Sequence, residues 1–190
     1  LPQPDEFYPS DFSTFVEVTK LTEQLCGPFR PGHFRGVTTV VTKLFTAVKP
    51  HLAVFGQKDY QQSAAIRHLV RDLNLDLRIE VAPTVREADG LAMSSRNINL
   101  SADERRRAPV LYQTLELGAQ MIAEGARDTS LIVAELRARI EPELGNDIDY
   151  LSIVNPDTLE EVAQITGPVV IALAIRLPHV RLIDNITATP

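Results

Sequence analysis

The chain has 190 residues, 44% of them hydrophobic, with a formal net charge of −6 and a pI near 5.2. That length supports one good-sized core, or one core with a small second domain. The acidic balance argues against nucleic acid as a general partner, because neutralising phosphates needs clustered lysine and arginine. Arg105, Arg106 and Arg107 are the one basic run, and they read as the solvated face of a helix start. The single cysteine, Cys26, excludes an internal disulfide and fits a reducing cytoplasm. The longest strongly apolar run, Val169 to Ile175, is far too short to span a bilayer.

The opening stretch "LPQPDEFYP" reads as loop, with three prolines. Phe15 to Val18 is short, apolar and β-branched, as a strand would be. Lys20 to Cys26 suits a helical turn or two, stopped by Gly27 and Pro28. A clear amphipathic helix follows, with Val37, Val40, Val41, Leu44, Phe45 and Val48 on one face and Pro50 ending it. Leu52 to Phe55 is continuously apolar, the pattern of a strand buried on both faces. A second helix is expected from about Asp59 to Leu73, and Leu77, Ile79 and Val81 then alternate with charged residues in a strand ending near Ala82 and Pro83. Strand, helix, strand at this spacing is a βαβ unit, so the fold class is α/β with a parallel pairing and a right-handed crossover.

The pattern changes after residue 90. Ser101 and Glu104 form a capping box that opens a helix carrying Ala108, Leu111, Leu115, Gly118 and Ile122, closed by Gly125. Asp128 caps another helix with Val133, Leu136 and Ile140, closed near Gly145. Strand-like runs at Ile148–Val154, Val169–Ile175 and Arg181–Ile186 finish the chain. Helices followed by strands without alternation read as a separate, smaller α+β domain. The division is therefore 1–90 and 91–190.

Three segments could carry chemistry. Gly56-Gln57-Lys58-Asp59 sits at the carboxyl end of a strand, where ligands bind in open α/β sheets. Gly56 lets a ligand approach the backbone, and the following helix start offers amide donors and a partial positive charge. Lys58 adds a full charge, Asp59 can accept from two neighbouring hydroxyls, and Gln62 can donate and accept one turn on. The alternative is an exposed turn with Asp59 as a helix cap. In Gly90–Asn97, Ser94, Ser95 and Arg96 supply hydroxyls and a guanidinium suited to phosphate, or else simply form a turn. Arg30, His33 and Arg35 in "RPGHFRGV" could meet a polyanion or order a loop. No histidines fall at metal-ligand spacing, and Arg181, Asp184 and Asn185 of "RLIDN" read as structural residues of a strand.

Together "RPGHFRGVTTVVTKLF", "FGQKDYQQ", "PTVREADGLAMSSRN" and "RLIDN" resemble the pantoate–β-alanine ligase (pantothenate synthetase) family, in order along nearly all of the chain. The family's usual glutamate in "FGEKD" is Gln57 here. The resemblance implies a partial Rossmann-like nucleotidyltransferase domain followed by a lid domain, usually in a homodimer, in the cytoplasm. It also implies an ATP-dependent ligase that joins pantoate to β-alanine through a pantoyl adenylate, with Mg2+ accompanying ATP. On the matching positions, Gly56 and Asp59 would hold the ribose. Lys58, Ser94, Ser95 and Arg96 would hold phosphates and stabilise their charge. Gln57 lies within the ATP-binding stretch, Val85 and Met93 would contact adenine through their backbones, and Gln62 would bind pantoate. The family's "HxGH"-type loop, whose histidines also contact ATP phosphates, has no counterpart in this sequence. The chain is therefore expected to be a C-terminal portion, inactive alone. Two other readings stand beside the ligase: a folded or dimerising module that does not adenylate, and a related nucleotidyltransferase for another acid.

Overall fold

The computed structural model describes residues 3–190, so Leu1 and Pro2 of the expected opening loop lie outside it. Part of that stretch is helical: α1 spans Pro4–Phe7, with proline at its first position, where no backbone donor is missed. Phe15 to Val18 is not a strand. Among the described residues no strand pairs with it, and the Val16 backbone is bound instead by helix side chains. Val16 N–H donates to Thr39 Oγ1 at 3.0 Å, and Thr38 Oγ1 donates to Val16 C=O at 2.6 Å. Both threonines belong to α2, His33–Val48, which begins four residues before the first valine of its apolar stripe. The expected turn at Lys20–Cys26 is a 3-10 turn at Leu21–Glu23.

The first unit is βαβ. Strands β1 (Leu52–Gly56) and β2 (Arg78–Ala82) pair in parallel, Leu52 opposite Arg78 and Gly56 opposite Ala82, with α3 (Tyr60–Asp72) between them in sequence. Ile66 and Leu69 of α3, Phe45 of α2, and Ala53 and Phe55 of β1 make one cluster. β1 is not buried on both faces as its composition suggests. Its inward face packs on the helices, while Leu52 and Val54 on the other face stay 41% and 61% exposed. The two-stranded sheet has helices on one side only, and side chains alternate across a strand.

The second unit packs α5 (Val110–Ala123) and α6 (Thr129–Leu144) on an antiparallel sheet in the order β3 (Ile148–Val154), β4 (Val169–Leu177), β5 (Val180–Ala188). The capping box forms as expected: Ser101 N–H donates to Glu104 Oε2 at 2.7 Å and Glu104 N–H to Ser101 Oγ at 3.2 Å. The helix it opens is the short α4, Ala102–Arg107. Pro109 lacks a backbone donor and divides α4 from α5, so the single helix expected here is two. Arg105 and Arg106 pair with Asp89 and Asp103, and Arg107 also with Asp103, so this run forms no open basic patch. Leu111, Leu115, Ile132, Leu136, Ile171 and Leu173 lead the main core. Gly118 lets α5 approach closely, since a Cβ there would stand 2.7 Å from Ile171 Cδ1 and 2.9 Å from Leu136 Cδ1.

The two units share a third cluster, in which Ala64 and Ala65 of α3 meet Val154, Val170 and Ala172 of the second sheet. This joint brings the end of β1 beside the middle of β5, at Asn185. Among the described residues, no helix is long and apolar enough to cross a membrane.

Candidate active site

A cavity of about 120 Å³ opens at this joint. Lys58, Asp59 and Gln62 enter it from the end of β1 and the start of α3, and Arg96 from the 90–97 loop. Arg30 comes from the turn before α2 and His33 from its first residue, and Arg181, Asp184 and Asn185 from β5. Three guanidinium groups (Arg30, Arg96 and Arg181) and the Lys58 ammonium thus face two carboxylates, Asp59 and Asp184. In a chain with an acidic total, that local excess suits an anionic ligand.

The turn after β1 is shaped for access. Gly56 has ordinary extended backbone, and a Cβ added there meets nothing within 4 Å. Its lack of a side chain leaves open room and serves no packing need. Asp59 occupies the N-cap position of α3, yet its carboxylate makes no capping bond. The capping alternative raised by the sequence therefore leaves this carboxylate unused. The adjacent glutamines divide their work. Gln61 is buried and ties down the 21–26 loop: its Nε2 donates to Leu21 C=O at 3.0 Å and Gln24 C=O at 2.7 Å, and its Oε1 accepts from Cys26 N–H at 3.0 Å. Gln62 lines the cavity.

Burial pulls the Lys58 ammonium below the ordinary lysine range, and Arg96 and Arg181 add to this while Asp59 and Asp184 oppose it. Burial also lowers His33, helped by Arg30, Arg181 and Arg96 and opposed by Asp59. Arg30 Nη1 lies 2.8 Å from His33 Nε2. A guanidinium only donates, so Nε2 accepts and the neutral ring carries its proton on Nδ1. Arg35, the third basic residue of that segment, points elsewhere and stacks over Phe15, 4.8 Å from the ring centroid.

The 85–97 loop is a narrow hairpin. Met93 N–H donates to Val85 C=O at 2.9 Å and Glu87 N–H to Leu91 C=O at 2.8 Å. Val85 and Met93, which the family resemblance singles out, thus lie side by side. Their mutual bond occupies Met93 N–H and leaves Val85 N–H and Met93 C=O for a ligand. Gly90 has φ +92°, and a Cβ there would stand 2.7 Å from Tyr112 Cδ1, so glycine is required twice over. Ser94 Oγ accepts from Arg96 N–H at 3.2 Å and starts the 3-10 turn Ser95–Asn99. Arg96 reaches the cavity, whereas Gly56, Gln57, Val85, Met93, Ser94 and Ser95 lie outside its lining. Among the described residues, no three of His, Cys, Asp and Glu gather as a metal site would need.

Sequence reasoning assigned no role at the site to Arg86, Arg181, Asp184 or Asn185. Asp184 receives both prongs of Arg86 at 2.6 and 3.0 Å, and Asn185 Nδ2 donates to Gln57 C=O and Lys58 C=O, each at 3.0 Å. Arg181 is fixed by Asp149, which also accepts from Arg176, each at 2.6 Å. The available sign was the charge of "RLIDN" inside an otherwise apolar strand pattern.

The family model described as pantoate-beta-alanine ligase matches residues 1–187. A pantothenate synthetase of Caldicellulosiruptor bescii is 52% identical over 185 residues, covering 97% of this chain and 66% of the relative. Another, from Acetivibrio thermocellus, is 50% identical with the same coverage. The chain thus spans just under two thirds of the length of these curated relatives. Among solved structures, pantothenate synthetase from Thermus thermophilus superposes with a TM-score of 0.92 at 41% identity, over 97% of this chain and 67% of that one. Pantoate-beta-alanine ligase from Francisella tularensis, solved in complex with beta-gamma ATP and beta-alanine, gives 0.70 at 29% identity, over 96% and 61%.

Proposed function

The chain belongs to the pantoate-beta-alanine ligase family, and from that premise we propose that the protein carrying it joins pantoate to β-alanine with consumption of ATP. The pantoate carboxylate attacks the α-phosphorus of ATP, the bond to the β-phosphate oxygen breaks, and pyrophosphate leaves. The β-alanine amine then attacks the acyl carbon of the adenylate, the acyl–oxygen bond breaks, AMP leaves, and the amine's surplus proton passes to solvent. The observation that carries this reading is the cluster of Lys58, Arg96 and the uncommitted Asp59 carboxylate at one strand end.

Each residue has a role its chemistry fits. Lys58 and Arg96 neutralise charge that grows on the phosphates, the effect that dominates phosphoryl and nucleotidyl transfer. Ser94 and Ser95 add donors when the loop meets the phosphates. Asp59 accepts from the ribose hydroxyls over the open room at Gly56, and Gln57 lies beside it in the same turn. Val85 and Met93 offer adenine a donor and an acceptor, and Gln62 holds pantoate. Neutral His33 is available as a hydrogen-bond donor through Nδ1. Magnesium bound to ATP would offset phosphate charge; among the described residues no group of three acidic, histidine or cysteine side chains stands ready to hold it, so its ligands would come from the nucleotide and water. The second unit serves as a lid, and the assembly is a homodimer.

The test is isotopic. Pantoate labelled with 18O in its carboxylate should pass one label to AMP during turnover by the protein carrying this chain. Label found in pyrophosphate or inorganic phosphate, with none in AMP, would exclude attack at the α-phosphorus.

A further inference from the structure

Two neighbouring residues of β5 reach from the second unit into both loops that face the cavity. Asn185 donates to the backbone carbonyls of Gln57 and Lys58, each at 3.0 Å. Asp184 takes both prongs of Arg86, at 2.6 and 3.0 Å. Arg86 passes the constraint on: it donates to Gly90 C=O at 3.0 Å and lies 3.6 Å over the Tyr112 ring. One dipeptide therefore fixes the Lys58 turn directly and the loop leading to Arg96 through one guanidinium.

Stability alone accounts poorly for this arrangement. Asp184 and Asn185 are 3% and 4% exposed, and Asn185 Oδ1 is buried without a partner. An unsatisfied buried acceptor costs free energy that an apolar side chain in its place would avoid. A buried ion pair likewise gives little net stability against apolar residues of its size. What both residues do supply is direction: two donors aimed at one turn, and a rigid fork aimed at one loop.

We propose that Asp184 and Asn185 are positioning residues that hold the Lys58 turn and the Arg96 loop in one fixed relation across the cavity. The reaction they serve is that of the ligase reading, on which this inference rests. Lys58 is faced by Asp59 from its own turn, by Asp184 and Arg181 from β5, and by Arg96 from the loop; His33 of α2 shares the cavity. Asp184 is thus one of two carboxylates that favour the charged lysine.

The test uses Asn185→Leu, Asp184→Asn and Arg86→Lys in the protein carrying this chain. Arg86→Lys keeps a charge opposite Asp184 but loses the fork, and serves if Asp184→Asn does not fold. Pantoate-dependent ATP–pyrophosphate exchange should fall in kcat by about 100-fold, the scale of a misplacement near 1 Å, with the pantoate KM changed less than about threefold. In Asp184→Asn the alkaline limb of the pH profile should also move to lower pH, which a merely loosened fold would not cause. Amide hydrogen exchange reads the geometry without any reaction. Asn185→Leu should speed exchange around residues 57–59, and Asp184→Asn or Arg86→Lys around residues 87–96. Folded variants with unchanged exchange protection, or with wild-type kcat, overturn the proposal. If the wild type itself exchanges no pyrophosphate, the ligase reading fails while the protection pattern still decides the positioning claim.

Discussion

Replacing Lys58 with alanine is the sharpest perturbation of the proposed chemistry, because the structure separates its charge from its backbone. The Asn185 bonds go to the carbonyls of residues 57 and 58, so truncating the side chain leaves the turn tied. An ammonium 4 Å from a phosphate charge, at an effective dielectric near 20, is worth about 4 kcal/mol. Lys58 is half-buried and Arg30, Arg96 and Arg181 remain in the cavity, so solvent and neighbours screen part of this. About 3 kcal/mol should survive, which is roughly a 100-fold loss in rate. The assay is pantoate-dependent ATP–pyrophosphate exchange by the protein carrying this chain, followed against pH. Burial lowers the wild-type lysine, so its alkaline limb should fall below the ordinary lysine value, and it should vanish in Lys58→Ala. The stability sign is opposite. The folded state binds fewer protons at Lys58 than the unfolded state, so stability rises with pH between the folded and unfolded values. Below that window the buried charge costs stability, and Lys58→Ala should unfold no more easily than wild type. Exchange within threefold of wild type, in a folded Lys58→Ala, would refute the reasoning.

Three further outcomes are expected. Asp149→Asn leaves the Arg181 guanidinium buried without its carboxylate and should cost about 3 kcal/mol in urea unfolding, with a lesser share from half-exposed Arg176. Gly118→Ala drives a Cβ against Ile171 and Leu136 and should lower stability by about 1–3 kcal/mol, seen as a reduced Tm with the fold retained by circular dichroism. Burial pushes the Tyr150 phenol up to about 12. The unfolded phenol ionises near 10, so the unfolded state holds fewer protons between those values and stability should fall as pH rises through that window. Tyr150→Phe should flatten this part of an alkaline unfolding curve.

The local sequence was enough for features that depend on neighbours along the chain. Alternating strand, helix and strand announced the parallel β1–β2 pair. Ser101 with Glu104, and Asp128 with the amides of Ser130 and Leu131, made the caps their types imply. Two loops with anion-binding chemistry were visible because glycine, hydroxyl and cation occur there within a few residues. The apolar spacing from Ala108 to Ile122 predicts one helix after the capping box, but Pro109 divides it in two.

Tertiary structure decided what lies between distant segments. Phe15–Val18 has strand composition, but its backbone partners are threonines of α2, 22 and 23 residues on. Leu52 and Val54 are apolar without being buried, since burial depends on what covers a face and not on the face itself. Asn185 meets Lys58 across 127 residues. Such a contact leaves no period or spacing in the chain, because it is set by how α3 docks on the second sheet. Residue type and local spacing alone thus mark Lys58, Ser94, Ser95 and Arg96 as candidates for an anion. Only the folded chain determined that Arg30, His33, Arg181 and the Asp184–Asn185 pair surround the same cavity, because side chains from separate elements acquire a common geometry only when their cores pack together.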